Sequence, residues 1–198
     1  MSLSCSYYPD YFSITDILAT EERITSKVEV AVPRLGILDH SSESEDLKAG
    51  TKLELPFWLA FPLNARKRPI VSVELPKVYK EGYRDILEAD ASVVTLNKWN
   101  PYYYELGMYL RQFNNRESEK ITDSLLQTFK TRFRLIMDWA DNPVVDLNVG
   151  LQLPVLERGL FLAGRKARVL LIQWLEKGGG NIETSELVAN LLKKRKGV

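Results

Sequence analysis

The side chains able to do chemistry are few and scattered. His40 is the one histidine and Cys5 the one cysteine in a chain of 198 residues. His40 lies in "DHSSESEDLKAG", residues 39–50, beside Ser41 and Ser42, so a Ser-His-Asp arrangement is formally available. No G-x-S-x-G turn marks a nucleophile, and a polar loop most simply holds a solvated imidazole. One histidine and one cysteine exclude multi-histidine and four-cysteine zinc sites. Gly178-Gly179-Gly180 is followed by Asn181, not by the Lys and Ser or Thr of a phosphate-binding loop. It follows a helical pattern, so it reads as a helix stop. The carboxylate pairs Glu21-Glu22 and Glu43-Glu45 lie in polar segments with nothing to raise a pKa toward that of a general acid. No catalytic residue, metal or cofactor is expected, and an enzyme is not.

Two basic groups raise the question of nucleic acid. Arg165, Lys166 and Arg168 cluster within one helical pattern and read as a solvated face. The run Lys193, Lys194, Arg195, Lys196 complements the dipole of a last helix and could also serve as a nuclear-import signal. Against a DNA clamp stands the charge balance. Lys plus Arg number 27 and Asp plus Glu 26, for a net charge of +1, where a phosphate-gripping protein carries a large basic excess. No RNA-binding sheet motif or helix-turn-helix signature appears. A single cysteine forbids an intrachain disulfide and suits a reducing compartment. No apolar stretch approaches the roughly 20 residues of a membrane-spanning helix, and no secretory signal is seen, which leaves cytosol or nucleus.

The pattern predicts an α+β fold: a small β-rich domain with short helices over residues 1–75, then an α-helical bundle over 76–198. Ser13 and Asp16 have capping-box spacing and open a short helix in "SITDILATEERI". "KVEVAV" alternates Val28, Val30 and Val32 in strand period, and "IVSVEL" is a second strand stopped by Pro76. "PKVYKEGYRDILEAD" places Val78, Tyr79, Tyr83, Ile86 and Leu87 near one helical face. Asn100 and Pro101 stand as N-cap and first helical residue of the next helix. Asn114 and Glu117 form a capping-box pair ahead of a long helix whose face is Ile121, Leu125, Phe129, Phe133, Ile136 and Ala140. A helix from Pro154 to the glycine stop and a short one over "ETSELVANLLKKRKG" complete the bundle. Neither an internal repeat nor coiled-coil heptads are evident.

Several strings carry a family resemblance: "YFSITDIL", "VPRLG", "KLELPFWLA", "IVSVELPKVYKEGYRDI", "SLLQTFKTRFRLIMD" and "LERGLFLAG", in order along nearly the whole chain. They resemble the GINS replication complex, in the subunit type called Psf-three. The resemblance implies a non-catalytic subunit of a heterotetramer, partnered by the three other GINS subunits. It implies that this complex joins the MCM ring and the Cdc-forty-five protein in the eukaryotic CMG replicative helicase, in the nucleus, for initiation and elongation of DNA replication. A subunit that contacts DNA directly is the alternative. The acidic loop after Gly36 and the C-terminal tail have no close match.

Two groups are candidates for domain-junction or subunit-interface positions. The first is the aromatic run of Phe57, Trp58 and Phe61, with Tyr79 and Tyr83 further on. The resemblance places this run at the junction of the two domains, where it would be buried internally or partly face another subunit, since large aromatics favour cores and interface centres alike. The second is the stripe Gly159, Ala163 and Ala167, bordered by Leu156, Leu160, Leu171 and Trp174. Glycine within a helix costs about 1 kcal/mol relative to alanine, so a closely approaching helix is expected there, from this chain's own bundle or from another subunit.

Overall fold

The computed structural model describes residues 12–39, 44–113 and 117–177. Cys5, His40, Ser41, Ser42, Asn114, the glycine stop, the short terminal helix and the run Lys193–Lys196 lie outside the described residues. A small antiparallel sheet precedes a mainly helical remainder.

Helix α1 (Ile14–Thr20) begins where the Ser13 hydroxyl accepts a hydrogen bond from the Asp16 amide at 3.3 Å. It ends earlier than the capping pattern suggested, because the chain turns directly into strand β1 (Arg23–Val28). β1 is the centre of the sheet, with β2 (Lys52–Pro56) and β3 (Val71–Val73) antiparallel on either side. Ile24, Ser26 and Val28 point inward. The sequence placed this strand later, over Val28, Val30 and Val32. Beyond Val28, however, β1 has no partner strand: β2 starts only at Lys52, after a turn at Gly50, whose φ of 93° few other residues adopt. Val30 is therefore half exposed, and Val32 makes only an isolated bridge to Leu47.

The apolar run forms a helix of its own, α2 (Phe57–Asn64), which the sequence did not single out. The Phe57 amide donates to the Glu22 carbonyl at 3.0 Å, and this ties the start of α2 to the end of α1. The next segment bends where one helix was expected. After a short 3₁₀ turn at Lys77–Tyr79, Lys80 is extended (ψ 159°) and α3 (Glu81–Asp90) starts afresh. The break changes the helical phase. Arg84 turns inward and Ile86 becomes half exposed.

A single turn, α4 (Leu96–Trp99), leads to α5 (Tyr103–Leu110). The Asn100 side chain accepts from the Tyr102 amide at 2.6 Å, an Asx turn rather than a helix cap, so α5 begins later than Pro101. Helix α6 (Ser118–Asp141) buries Ile121, Leu125, Ile136 and Ala140, as the pattern requires. Phe133 is the exception, at 42% exposed. Successive steps of four drift about 40° around a 3.6-residue helix, so Thr128 and Arg132 take the inward positions instead. Glu117 pairs with Arg84 at 2.8 Å rather than closing a capping box. Helix α7 (Val155–Lys177) follows the connection 142–154.

One apolar cluster spans both halves of the chain. Ala19, Ile24 and Phe57 pack with Tyr79, Leu87, Leu96, Tyr103, Leu106, Tyr109, Leu110, Ile121 and Leu125. A second cluster, Ile136, Ala140, Leu153 and Phe161, joins α6 to α7.

Candidate interaction face

The geometry of α7 follows from how it is held. The Arg132 guanidinium donates from Nε to Glu157 Oε1 at 2.7 Å and from Nη2 to Oε2 at 2.9 Å. Its Nη1 donates to the carbonyls of Ala91 and Val94, each at 2.7 Å. The Tyr104 hydroxyl donates to Glu157 Oε1 at 2.6 Å. Four segments of chain thus meet on one buried ion pair. Burial pulls the Arg132 pKa down, but the Glu157 carboxylate outweighs it and the net direction is up. Burial, then Glu157, holds the Tyr104 phenol neutral far above its ordinary range. A carboxylate taken from water needs such saturation of its lone pairs, and here the donors are present.

Further along, a Cβ on Gly164 would lie 2.9 Å from the Ala140 Cβ, so the two helices come too close there for a larger side chain without a shift. Arg165 donates to the carbonyls of Asn142 and Val145, the latter at 2.8 Å, and Arg168 pairs with Asp141. The expected solvated basic face is thus only Lys166, because the two arginines close the end of α6. The pairings Arg132–Glu157, Ala140–Gly164 and Asp141–Arg168 advance together along both helices. α6 and α7 therefore run in the same direction.

Glu157, Phe161, Gly164, Arg165 and Arg168 make one face of α7, turned toward α6. About 120° around the helix lies another face, formed by Leu160, Ala163, Ala167, Leu170 and Trp174 at alternating steps of three and four. Ala163, Ala167, Leu170 and Trp174 are exposed, and a Cβ on Gly159 would meet nothing within 4 Å among the described residues. Among the described residues no helix covers Gly159, Ala163 and Ala167. Leu156 and Leu160 at the border are half-buried, against the main and the second cluster respectively. Of this seam the sequence reading named Leu160, Ala163, Ala167 and Trp174 and left out Leu170. Beyond Arg168, which faces the last residue of α6, α7 continues with residues 169–176 all exposed.

The aromatic candidates divide. Phe57 is 2% exposed, with its ring 5.3 Å from Phe113 and 5.4 Å from Tyr109. Phe61 stacks on Phe57 and is partly buried. Trp58 turns outward, 53% exposed, and its indole Nε1 donates to Glu21 at 3.2 Å. Tyr79 is buried; it stacks on Tyr103 at 5.1 Å and donates to the Tyr103 carbonyl at 2.7 Å. Tyr83 lies at the rim, edge-on to Trp99 at 5.0 Å.

A cleft between α3 and α6 is lined mainly by charged side chains, among them Glu81, Asp85, Glu88, Lys120 and Asp123, with Ser124 and Thr128. Among the described residues no cluster of His, Cys, Asp and Glu could hold a metal ion. No described helix is long and apolar enough to cross a membrane.

A family model described as the PSF3 N-terminal domain matches residues 12–65, the segment from the start of α1 to the end of α2. The chain is similar to a Xenopus laevis protein named DNA replication complex GINS protein PSF3, 42% identical over 189 residues, covering 94% of this chain and 90% of the relative. This chain belongs to the PSF3 family of GINS proteins. The human protein of that name is 43% identical over 194 residues, covering 94% of this chain and 89% of the relative. A Dictyostelium discoideum protein named as a probable member is 33% identical over 175 residues, covering 87% and 64%. These similarities run through α6 and α7, so the exposed seam belongs to the part of this GINS chain that its relatives share. The relatives are named as DNA replication complex proteins.

Proposed function

We propose that the chain is a non-catalytic subunit of a heterotetrameric GINS complex, assembled with the three other GINS subunits. In this reading the complex works in the nucleus, joined to the MCM ring and the Cdc-forty-five protein as the CMG replicative helicase. The observation that carries the reading is similarity along 94% of the chain to proteins named for that replication complex. Two features support it. The net charge of +1 suits a scaffold better than a phosphate-binding clamp. The open stretch Gly159, Ala163 and Ala167 offers small side chains on a rigid helix, where the backbone of a partner helix can approach closely. This stretch is the proposed subunit contact, with exposed Trp58 as a second.

Co-expression with the three other subunits tests the reading. The expected result is a single species on size exclusion that contains all four chains. A chain that elutes alone would overturn it. Gly159→Leu meets open space and Ala163→Glu is at an exposed position, so neither should lower the melting temperature of the free chain, the first raising it slightly through helix propensity, and both should deplete the four-chain species. Intact assembly in both variants would remove the seam from the contact while leaving membership standing.

A further inference from the structure

The cleft between α3 and α6 is separate from the stretch of α7 proposed as the subunit contact, since none of its described lining residues is on α7. It holds about 430 Å³. Its rim is charged. Glu81, Asp85 and Glu88 follow one another at helical steps along α3, and Asp123 stands across from them on α6. All four carboxylates are exposed, and none has an ion-pair partner among the described residues. Two cations lie at the same cleft. Arg84 is already engaged by Glu117 and the Tyr79 carbonyl. Lys120 alone remains against the four carboxylates.

The floor carries an open hydrogen-bonding group. Leu87 and Thr128 line the cleft and are only 4% and 2% exposed. Thr122 and Thr131, on the same helix, turn their hydroxyls back to the carbonyls of Ser118 and Gln127 at 2.9 and 3.0 Å. The Thr128 hydroxyl makes no such bond and has no other partner among the described residues. A buried polar group in that state costs stability until a partner reaches it, and the way to Thr128 is through the cleft.

The chemistry of the rim and floor selects the partner. Among the described residues no group of carboxylates stands close enough together to hold a metal ion, so the rim suits an extended cation. Nucleic acid would be repelled by it. An arginine side chain meets each demand: its apolar stem can lie on Leu87, and its planar guanidinium has five donors, enough for both helices and the floor at once. A lysine ammonium is a compact charge and cannot span them in the same way. We propose that this cleft receives an arginine from a basic segment of a partner protein, with the guanidinium donating to the Thr128 hydroxyl and to the carboxylates of Asp85, Glu88 and Asp123. The docking does not depend on which complex the chain joins.

Fluorescence anisotropy with a labelled hexa-arginine peptide tests this on the full-length chain, and the methyl resonances of Leu87 and Thr128 locate the peptide. Three cleft variants are compared with the parent: Asp85→Asn with Glu88→Gln, Asp123→Asn, and Thr128→Val. A fourth, Glu45→Gln with Glu54→Gln, removes two exposed carboxylates outside the cleft. The expected result is saturable binding that shifts both methyls, weakens about tenfold in each cleft variant and is unchanged in the fourth. A hexalysine peptide should bind about tenfold more weakly than hexa-arginine. Thr128→Val removes only the hydroxyl, so the free chain should melt no lower than the parent while binding falls. Equal affinity in parent and cleft variants would overturn the proposal, leaving diffuse attraction between opposite charges. Equal binding of hexalysine would overturn it too, since the cleft would then read charge alone. A lower melting temperature in Thr128→Val would mean that the hydroxyl serves the fold, and would also sink it.

Discussion

The guanidinium of Arg132 and the carboxylate of Glu157 lie side by side in two parallel hydrogen bonds, and neither side chain is more than 4% exposed. Removing one partner of such a pair leaves an uncompensated buried charge, which costs about 3–5 kcal/mol. Arg132→Met should lower unfolding free energy by that amount in urea denaturation of the free chain. The double variant Arg132→Met, Glu157→Leu should recover part of the loss, since no charge is then stranded. It should not recover all of it, because the Ala91 and Val94 carbonyls and the Tyr104 hydroxyl lose their partner. Strictly additive losses would mean that the pair is not coupled.

The two glycines of α7 should respond in opposite directions. Gly159 has open space where a Cβ would be, so Gly159→Ala should stabilise the free chain by about 1 kcal/mol through helix propensity. At Gly164 the new methyl would sit 2.9 Å from the Ala140 Cβ, which cannot swing aside. Gly164→Ala should therefore destabilise, within the about 1–3 kcal/mol typical of overpacking. Thermal melts of the two variants, run together, check the sign of each.

Phe57 and Trp58 are neighbours in sequence but not in energy. Phe57→Ala removes a ring packed among Phe61, Tyr109 and Phe113 and should cost about 3–5 kcal/mol. Trp58→Ala removes a half-exposed side chain with one hydrogen bond to Glu21 and should cost about 1 kcal/mol or less. Denaturant melts that rank them the other way would contradict the burial described.

Glu105 supplies a pH dependence. Burial raises its carboxyl above the ordinary 4.5, and Asp16 adds to the shift. Its Oε2 is buried and without a hydrogen-bond partner. A carboxyl raised on folding binds its proton more tightly in the native state. Its contribution to stability is then fully present below the unfolded pKa and is lost as pH rises through the folded one. Glu105→Gln should therefore raise the melting temperature at neutral pH, and the gain should shrink as pH falls toward and below 4.5. A gain that persisted in acid would assign it to packing instead.

These relationships were legible in the sequence to different degrees. The cap at Ser13, the long α6 and the start of α7 follow from local chemistry and period, and the structure agrees. The position of β1 does not, because the alternation runs on past Val28 and only the turn at Gly50 decides where a partner strand begins. The inward turn of Arg84 and Arg132 was hidden for a related reason. Arginine reads as surface until its partners are known, and these are Glu117 and Tyr79 in one case and Glu157, Ala91 and Val94 in the other. The candidate seam was half visible. The small side chains stood out at Gly159, Ala163 and Ala167, but the glycine of α7 that meets α6 is Gly164.

The parallel course of α6 and α7 bears on the order in which the chain acquires its structure. The last carbonyls beyond α6, at Asn142 and Val145, are met by Arg165, and Asp141 is met by Arg168. Those cations are synthesised after the whole return connection 142–154. During translation the contacts that Arg165 and Arg168 make at the end of α6 cannot form until the middle of α7 has emerged, although the Asn142 amide already caps α6 locally on the Asp138 carbonyl. The end of α6 is thus a late closure. Substitutions at Arg165 or Arg168 should speed unfolding and leave the refolding rate nearly unchanged, while Leu125 and Ile121, which join the earlier contacts with α5, should affect both.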